Sequence, residues 1–593
     1  MTHVGRKRRV RPVKVLEAAA EFRHAPDGVV YVRSPRELGP YPRRLTDCLD
    51  QWAAAAPGRV FLAQRDRGGG WRNLTYAEAR AGARAIAESL LSRHLDRPVA
   101  ILSENSIEHA LLGLGCMYAG VAYAPLAPSY SLASRDLATL RFLLGRLEPS
   151  MVFADDAGRF EHPLTLAAAG GAEVVTVTPS PSVRTTPFTE LAAAVPTPNL
   201  DDAYARVEPG TVAKLLFTSG STGRPKGVIT THRMLCSNQE MLASLLAFVR
   251  DEPPVLCDWL PWNHTFGGSH NFGLALYNGG TLYIDEGKPV ETAFEATLRN
   301  LRDAPPTAYF NVPKGYEMLV PALRRDRDLA RRFFSRLQIV FYAAAGLNQR
   351  IWDELQDIAV ETCGEEILMV TGLGATESSP LAMATGVEGA SAGRMGLPVP
   401  GVELKLAPVE NKLEARLRGP NITPGYWGDP EMTRAAFDDE GFYKLGDALV
   451  PVDPARPLSG FRFDGRLTED FKLSTGTWVS VGPLRESFLT WCAGAARDVV
   501  LAAPDRDYVG ALIFPAPGVT AAELRPLLAG FARHATGIST RIARALILDE
   551  PPSLDGGELT EKGSVNQKAV LRNRSELVEE VYAGSSRVIE VEL

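Results

Sequence analysis

Several things are scarce in this chain of 593 residues, and each scarcity excludes something. There are only six cysteines, Cys48, Cys116, Cys236, Cys257, Cys363 and Cys492, and no two lie close enough for a redox or metal pair, which excludes a disulfide framework or a zinc site as the organising principle. Neither sign of charge dominates: 64 Lys and Arg against 70 Asp and Glu leave a net charge of −6, so no basic face is implied for a nucleic acid polymer. Long hydrophobic runs are missing too. The longest strongly apolar uncharged stretch, residues 110–126, is broken by Gly113, Gly115, Gly120 and Pro125 and falls short of the roughly 20 residues of a membrane-spanning helix. It reads as a buried helix followed by a strand. No repeat of fixed period occurs and no low-complexity linker. A soluble, cytoplasmic protein without a membrane partner is expected.

What is present is an ordinary globular balance, 45% hydrophobic and 23% charged, with 53 glycines and 43 prolines that imply many turns and loops. The first 40 residues open with Arg6, Lys7, Arg8, Arg9, Arg11 and Lys14 and read as a basic, solvated N-terminal arm; a lipid- or nucleic-acid-binding tail is the rival reading. Beyond them, apolar runs at 60–64, 98–102, 256–260, 281–284, 339–343 and 367–371 alternate with helical patterns at 45–56, 76–93 and 106–119. Such alternation favours α/β architecture with largely parallel sheets. Residues 402–418 change to adjacent short strands with an antiparallel, barrel-like texture. A turn signal at Gly465-Arg466 followed by polar Thr468, Glu469 and Asp470 marks a boundary, giving a large body over 41–465 and a small α+β domain over 466–593.

The most informative segment runs from Leu215 to Gly227, an apolar strand entering a loop of small and hydroxylated residues. Glycine lets backbone N–H groups approach a polyphosphate, hydroxyls add donors and a lysine supplies charge, so Thr218, Ser219, Gly220, Ser221, Thr222, Gly223 and Lys226 read as a phosphate cradle. An ordinary polar turn is the bland alternative. A Walker loop is excluded because Pro225 and Gly227 flank the lysine where that motif needs Gly and Ser or Thr. A dinucleotide fingerprint at Gly372-Leu373-Gly374 fails because Glu377 stands where the third glycine is required.

Five ordered elements, Thr218–Gly227, Gly374-Ala375-Thr376-Glu377, Arg418-Gly419-Pro420 with Gly425-Tyr426-Trp427, Tyr443 to Asp447, and Gly465-Arg466, resemble the acyl-adenylate-forming superfamily of acyl-CoA synthetases, luciferases and peptide-synthetase adenylation domains. Residues 260–268, 372–380 and 469–479 are most similar to feruloyl-CoA synthetases. The resemblance implies ATP, Mg²⁺ and coenzyme A as cofactors, a small aromatic carboxylic acid as substrate, and a monomer or homodimer. The implied reaction joins the acid to AMP with loss of pyrophosphate and then passes the acyl group to CoA.

Site roles follow from the resemblance at matching positions. Thr376 would bond the phosphate region and Glu377 would hold Mg²⁺; a helix-terminal carboxylate is the plain alternative for Glu377. Ala344, Ala345, Gly346 and Gly374 would border the nucleotide, Asp447 would take the ribose hydroxyls, and Arg466 would reach ribose or phosphate. His264 would position or gate the acyl carboxylate. The resemblance's C-terminal lysine is displaced here: Ser564 occupies its position, leaving Lys562 as first candidate and Lys568 as second. Thr468 would act as hinge. Trp262, His264, Phe266, His270, Phe310, Tyr342 and Met395 are candidates for the acyl pocket, although aromatic and Met residues in such segments are more often core than pocket. Other readings are a ligase for another aryl or fatty acid, an adenylating enzyme that loads a carrier protein, and a non-catalytic nucleotide-binding regulator.

Overall fold

The computed structural model describes residues 8–219, 225–387, 391, 393–502, 504, 506–559 and 565–591. Three sheets build the large body. One has seven strands in the order Pro225–Thr231, Val212–Ser219, Tyr123–Pro125, Val99–Ile101, Met151–Asp156, Glu173–Thr178 and Thr186–Pro187. Within it the pairs from Val212–Ser219 to Thr186–Pro187 are parallel, and only Pro225–Thr231 folds back antiparallel. A four-stranded sheet contains Val255–Asp258, Thr281–Ile284, Val60–Arg65 and Trp71–Thr75. The largest, with eleven strands, changes from parallel at Ala308–Asn311, Ile339–Tyr342 and Leu368–Gly374 to antiparallel over the rest. The alternating α/β pattern and the hairpin texture of 402–418 are both found, the latter as Glu403–Val409 paired with Lys412–Arg418.

Local chemistry explains several boundaries. Thr75 caps the helix Tyr76–Ser92, its hydroxyl accepting from Glu78 N while the Glu78 carboxylate accepts from Thr75 N. Ser106 caps Ile107–Ala119, which stops at Gly120 in the left-handed region at φ 73°. That helix and the following strand Tyr123–Pro125 form the buried pair expected of the apolar 110–126 stretch, and among the described residues no helix is long and apolar enough to cross a membrane.

Residues 8–40 are not a solvated arm. Arg11 donates to the carbonyls of Phe334 and Leu337 and pairs with Glu365, while Arg8 pairs with Asp357 at 2.7 Å. Further on, Glu21–His24 and Val30–Arg33 form the outer edge of the largest sheet, the latter pairing with Glu403–Val409. Arg8 and Arg11 meet acidic partners 349 and 354 positions away, which a local charge pattern does not show. Residues 1–7 lie outside the described part.

A separate core forms around Phe488, Val499 and Ile513 in the C-terminal region, beginning at Phe471, with the sheet Ala496–Ala502, Val509–Pro515, Ile542–Ile547 and Ile589–Glu590. The preceding strand, Phe461–Arg466, still belongs to the large sheet. Thr468 lies in the exposed turn between them. Buried Lys412 spans this junction, with Nζ 2.6 Å from Asp470 and donating to Asp464 O.

Candidate active site

Parallel strands end together, so the loops after Tyr123–Pro125 and Val212–Ser219 open on one edge of the seven-stranded sheet, where ligands of α/β folds collect. The hairpin joining Val212–Ser219 to Pro225–Thr231 places Thr218 directly opposite Lys226. Thr218 Oγ1 is buried and makes no hydrogen bond among the described residues, a donor left for an outside acceptor. Gly220, Ser221, Thr222 and Gly223 lie outside the described residues, and Ser219 is described only in its backbone.

Lys226 Nζ lies 2.6 Å from Glu377 Oε1 and donates to Tyr426 Oη at 2.7 Å. Tyr426 in turn donates to Glu377 at 2.9 Å and meets the Tyr443 hydroxyl at 3.2 Å. Burial works against the Lys226 ammonium, but Glu377 and Tyr426 outweigh it and raise its pKa; burial likewise opposes the Glu377 carboxylate, and Lys226 prevails to hold it below the usual range. Both groups are therefore charged at neutral pH. Tyr426 and Tyr443 belong to the motifs singled out above, yet their side chains were not among the candidates. Only the approach of segments distant in sequence brings them onto the carboxylate.

Thr376 and Glu377 are buried in a short 3₁₀ turn at the end of Leu368–Gly374. Gly374 has no room for a side chain, since a Cβ there would lie 1.8 Å from Pro380 O. Asp447 sits opposite Arg466 in the strand pair Tyr443–Pro451 and Phe461–Arg466, with Arg466 Nε at 3.4 Å. Burial pushes the Asp447 carboxyl up to about 6, Arg466 draws it back, and the charges of Glu469 and Glu377 add to the rise. The last influence places Asp447 in the neighbourhood of Glu377.

Ala344, Ala345 and Gly346 stand exposed just past Ile339–Tyr342, with Ala344 held at φ 74°, a strained backbone for a residue with a Cβ. One side chain of the C-terminal domain approaches this loop: a Cβ on Gly346 would lie 3.1 Å from Glu486 Oε1. Lys562 lies outside the described residues, and Lys568 is exposed on the helix Gln567–Asn573.

The acyl-side candidates divide. Phe266, His270 and Phe310 pack in one buried group, His270 lying 5.2 Å from the Phe266 ring and 4.9 Å from that of Phe310, whereas Trp262 packs its ring on His109 and Phe272. Phe341 completes the group, 5.4 Å from His270. Strand alternation could have shown this, because Phe341 and Tyr342 must face opposite sides. Tyr342 accordingly turns to the second core, against Trp352, and its hydroxyl accepts from Gly393 N. Met395 is partly buried at the edge of the main core rather than in the aromatic group.

His264 is half-buried, and its Nδ1 accepts from Phe266 N at 3.3 Å, which in the neutral ring leaves the proton on Nε2. His270 is neutral, its pKa lowered to about 4 by burial. It meets Asn271 at 2.8 Å, and Asn271 donates to buried Asp258, a chain the linear pattern did not disclose.

Phe266–Asn271 is a π-helical turn. It packs so tightly that a Cβ on Gly267 would lie 2.4 Å from Leu260 O, and one on Gly268 would lie 2.2 Å from Trp262 O. The glycines thus let the turn settle on the preceding chain and bring Phe266 and His270 to one wall.

The strand pair that sets Thr218 opposite Lys226, the Lys226–Glu377 ion pair and the nearby Asp447 thus lie together in an α/β body. The AMP-binding enzyme family matches residues 49–427, and the chain belongs to that family. It is 30% identical over 399 residues to the anthranilate–CoA ligase of Pseudomonas aeruginosa, covering 65% of this chain and 69% of that protein. It is also 26% identical over 477 residues to the 3-[(3aS,4S,7aS)-7a-methyl-1,5-dioxo-octahydro-1H-inden-4-yl]propanoyl:CoA ligase of Rhodococcus jostii, covering 76% and 85%. Among solved structures, ATP-bound MatB from Rhodopseudomonas palustris superposes with a TM-score of 0.67 at 24% identity, covering 90% of this chain and 98% of that one.

Proposed function

We propose that the protein is an ATP-dependent acid–CoA ligase acting on ferulate or a closely related hydroxycinnamate. The observation that carries this reading is the single cluster made by the Thr218–Lys226 hairpin, Glu377, Tyr426 and Asp447. The relatives named as CoA ligases support the thiol acceptor, and the aromatic wall of Phe266, Phe310 and Phe341 supports a flat acyl group.

In the first half-reaction a carboxylate oxygen of the acid bonds to the α-phosphorus of ATP as the bond to pyrophosphate breaks. Two anions approach, so the protein must offer positive charge and donors where negative charge builds. Lys226 and the unspent Thr218 hydroxyl would serve the β- and γ-phosphates. Asp447 would accept from the ribose hydroxyls, with Arg466 beside it, and the small loop 344–346 would lie against the base. His264 would orient the incoming carboxylate. In the second half-reaction the CoA sulfur bonds to the acyl carbon, and AMP leaves with the electron pair of the broken acyl–phosphate bond.

A single buried carboxylate suits Mg²⁺, a hard ion that keeps phosphate oxygens and water for most of its ligands; Glu377 would hold it, and the ion would offset phosphate charge. Among the described residues no cluster of three or more His, Cys, Asp or Glu is placed to cage a metal without such help.

The test is release of AMP and pyrophosphate from ATP with a panel of acids, with and without CoA. Ferulate and 4-hydroxycinnamate are expected to be activated and converted to thioesters. Adenylation that ignores CoA would replace the ligase reading with carrier-protein loading, and ATP binding without turnover of any acid would make the protein a nucleotide-binding regulator.

Asp447 adds a pH dependence. Its ionised form accepts both ribose hydroxyls, so affinity for ATP is expected to be lost as pH falls through about 6, with KM for ATP rising roughly tenfold per unit below that point. Asp447→Asn should have a high KM that barely changes with pH. A wild-type KM that is flat from pH 7.5 to 5 would remove Asp447 from the ribose site.

A further inference from the structure

Lys214 lies within the strand Val212–Ser219, in register with Tyr123 of the adjacent strand, and is 1% exposed. A lysine at that depth ordinarily meets a carboxylate, because an ammonium stripped of water is costly without an opposite charge. No carboxylate comes. Among the described residues its only hydrogen bond runs from Nζ to Gly268 O, at 2.6 Å, and it has no ion pair. A lysine ammonium has three N–H donors, so two are unspent. Burial has also lowered its pKa to about 7.

The surroundings indicate what those donors face. Gly268 belongs to the same π-helical turn that supplies Phe266 and His270 to the aromatic wall. Beside it lies a cavity of about 10 Å³ bounded by Gly268, Tyr123, His109 and Trp262, among others. Such a volume accommodates about one water-sized group. Lys214 also precedes Thr218 by four residues, roughly 13 Å along an extended strand, so it stands far from the phosphate end. Lys214 does not itself line that cavity, but two of the lining residues are its neighbours: Gly268 accepts its hydrogen bond and Tyr123 stands beside it in the adjoining strand, while the rings of Trp262, His109 and Phe272 make the cavity's aromatic side.

We propose that Lys214 is a specificity-determining residue that donates a hydrogen bond to an oxygen at the end of the acid remote from its carboxylate, a hydroxyl, methoxy or keto oxygen on an aryl or alicyclic acid. The inference rests on the acid-activating reading given above. A pocket that spends a buried donor on a substrate oxygen rejects the analogue lacking it, because the donor is then left unpaired. A lysine that merely ties the π-turn to the sheet would affect all acids alike.

The experiment compares wild type and Lys214→Met in acid-dependent ATP–pyrophosphate exchange on acids paired by one distal oxygen: 4-hydroxycinnamate with cinnamate, and a keto alicyclic propanoate with its deoxo form. Wild type should favour the oxygenated member by about 30-fold or more in kcat/KM. The variant should lose about that factor on the oxygenated acid and keep or gain activity on the other. Equal losses on both members, an unchanged ratio, or no wild-type preference would each overturn the assignment. Should the methionine variant fail to fold, as judged by thermal unfolding and ATP binding, the ratio is read in Lys214→Gln, where it should shrink in the same direction. Wild type inactive on every acid would instead overturn the acid-activating reading, and this inference with it.

Discussion

Lys226→Ala is expected to reduce acid-dependent ATP–pyrophosphate exchange by about 10²- to 10³-fold, the scale on which a fixed charge aimed at a transferring phosphoryl group acts. The same substitution should lower stability. Lys226 Nζ is 2.6 Å from a Glu377 carboxylate that is only 6% exposed, so its removal leaves a buried charge without its cation. Loss of one partner from a fully buried pair costs about 3–5 kcal/mol; here Tyr426 still donates to Glu377 and Lys226 is partly exposed, so about 1–3 kcal/mol is expected. The double variant Lys226→Ala/Glu377→Gln separates the two effects: thermal unfolding should recover towards wild type while exchange stays low. Normal exchange in Lys226→Ala would remove this lysine from the phosphate site, and no recovery in the double variant would mean that the pair does not set stability.

Lys562→Ala should abolish acyl-AMP formation from acid and ATP, by at least about 10²-fold, while sparing conversion of supplied acyl-AMP to thioester. Lys562 lies outside the described residues, so the expectation rests on the resemblance of its segment to the family's C-terminal lysine stretch. Leu559 and Val565 pair in a bridge on either side of it, and the Asp555 carboxylate accepts from Arg135 N at 3.2 Å. Arg135 follows Tyr123–Pro125, whose carboxyl end shares an edge with the phosphate hairpin. Lys568, exposed on its helix, should tolerate alanine within a few-fold. Normal pyrophosphate exchange in Lys562→Ala, or a collapse in Lys568→Ala, would reverse the assignment.

Much of the architecture was legible because periodicity and caps are local. Thr75 before an alanine-rich helix, Ser106 before an apolar one and the short apolar runs between them each act within a few residues. The site was legible only where chemistry is written contiguously. Thr218 to Lys226 and Gly374 to Glu377 are such stretches. The Tyr426 and Tyr443 hydroxyls on Glu377, the chain from His270 through Asn271 to Asp258, and Phe341 in the aromatic wall arise from convergence of distant segments. Tyr342 falls outside that wall because neighbours along a strand face opposite sides, a distinction that order along the chain does not carry. The basic N-terminal residues are tied down in the same way, by acidic partners remote in sequence.

The π-helical turn Phe266–Asn271 also marks a division of labour for anyone wishing to alter this protein's substrate range. Gly267 and Gly268 are fixed by backbone carbonyls that cannot retreat, so variation there would be spent on misfolding. Phe266, His270, Phe310 and Phe341 make ring contacts with one another, Phe310 and Phe341 being also register partners in adjacent strands. A combinatorial library should hold the two glycines constant and randomise those four positions.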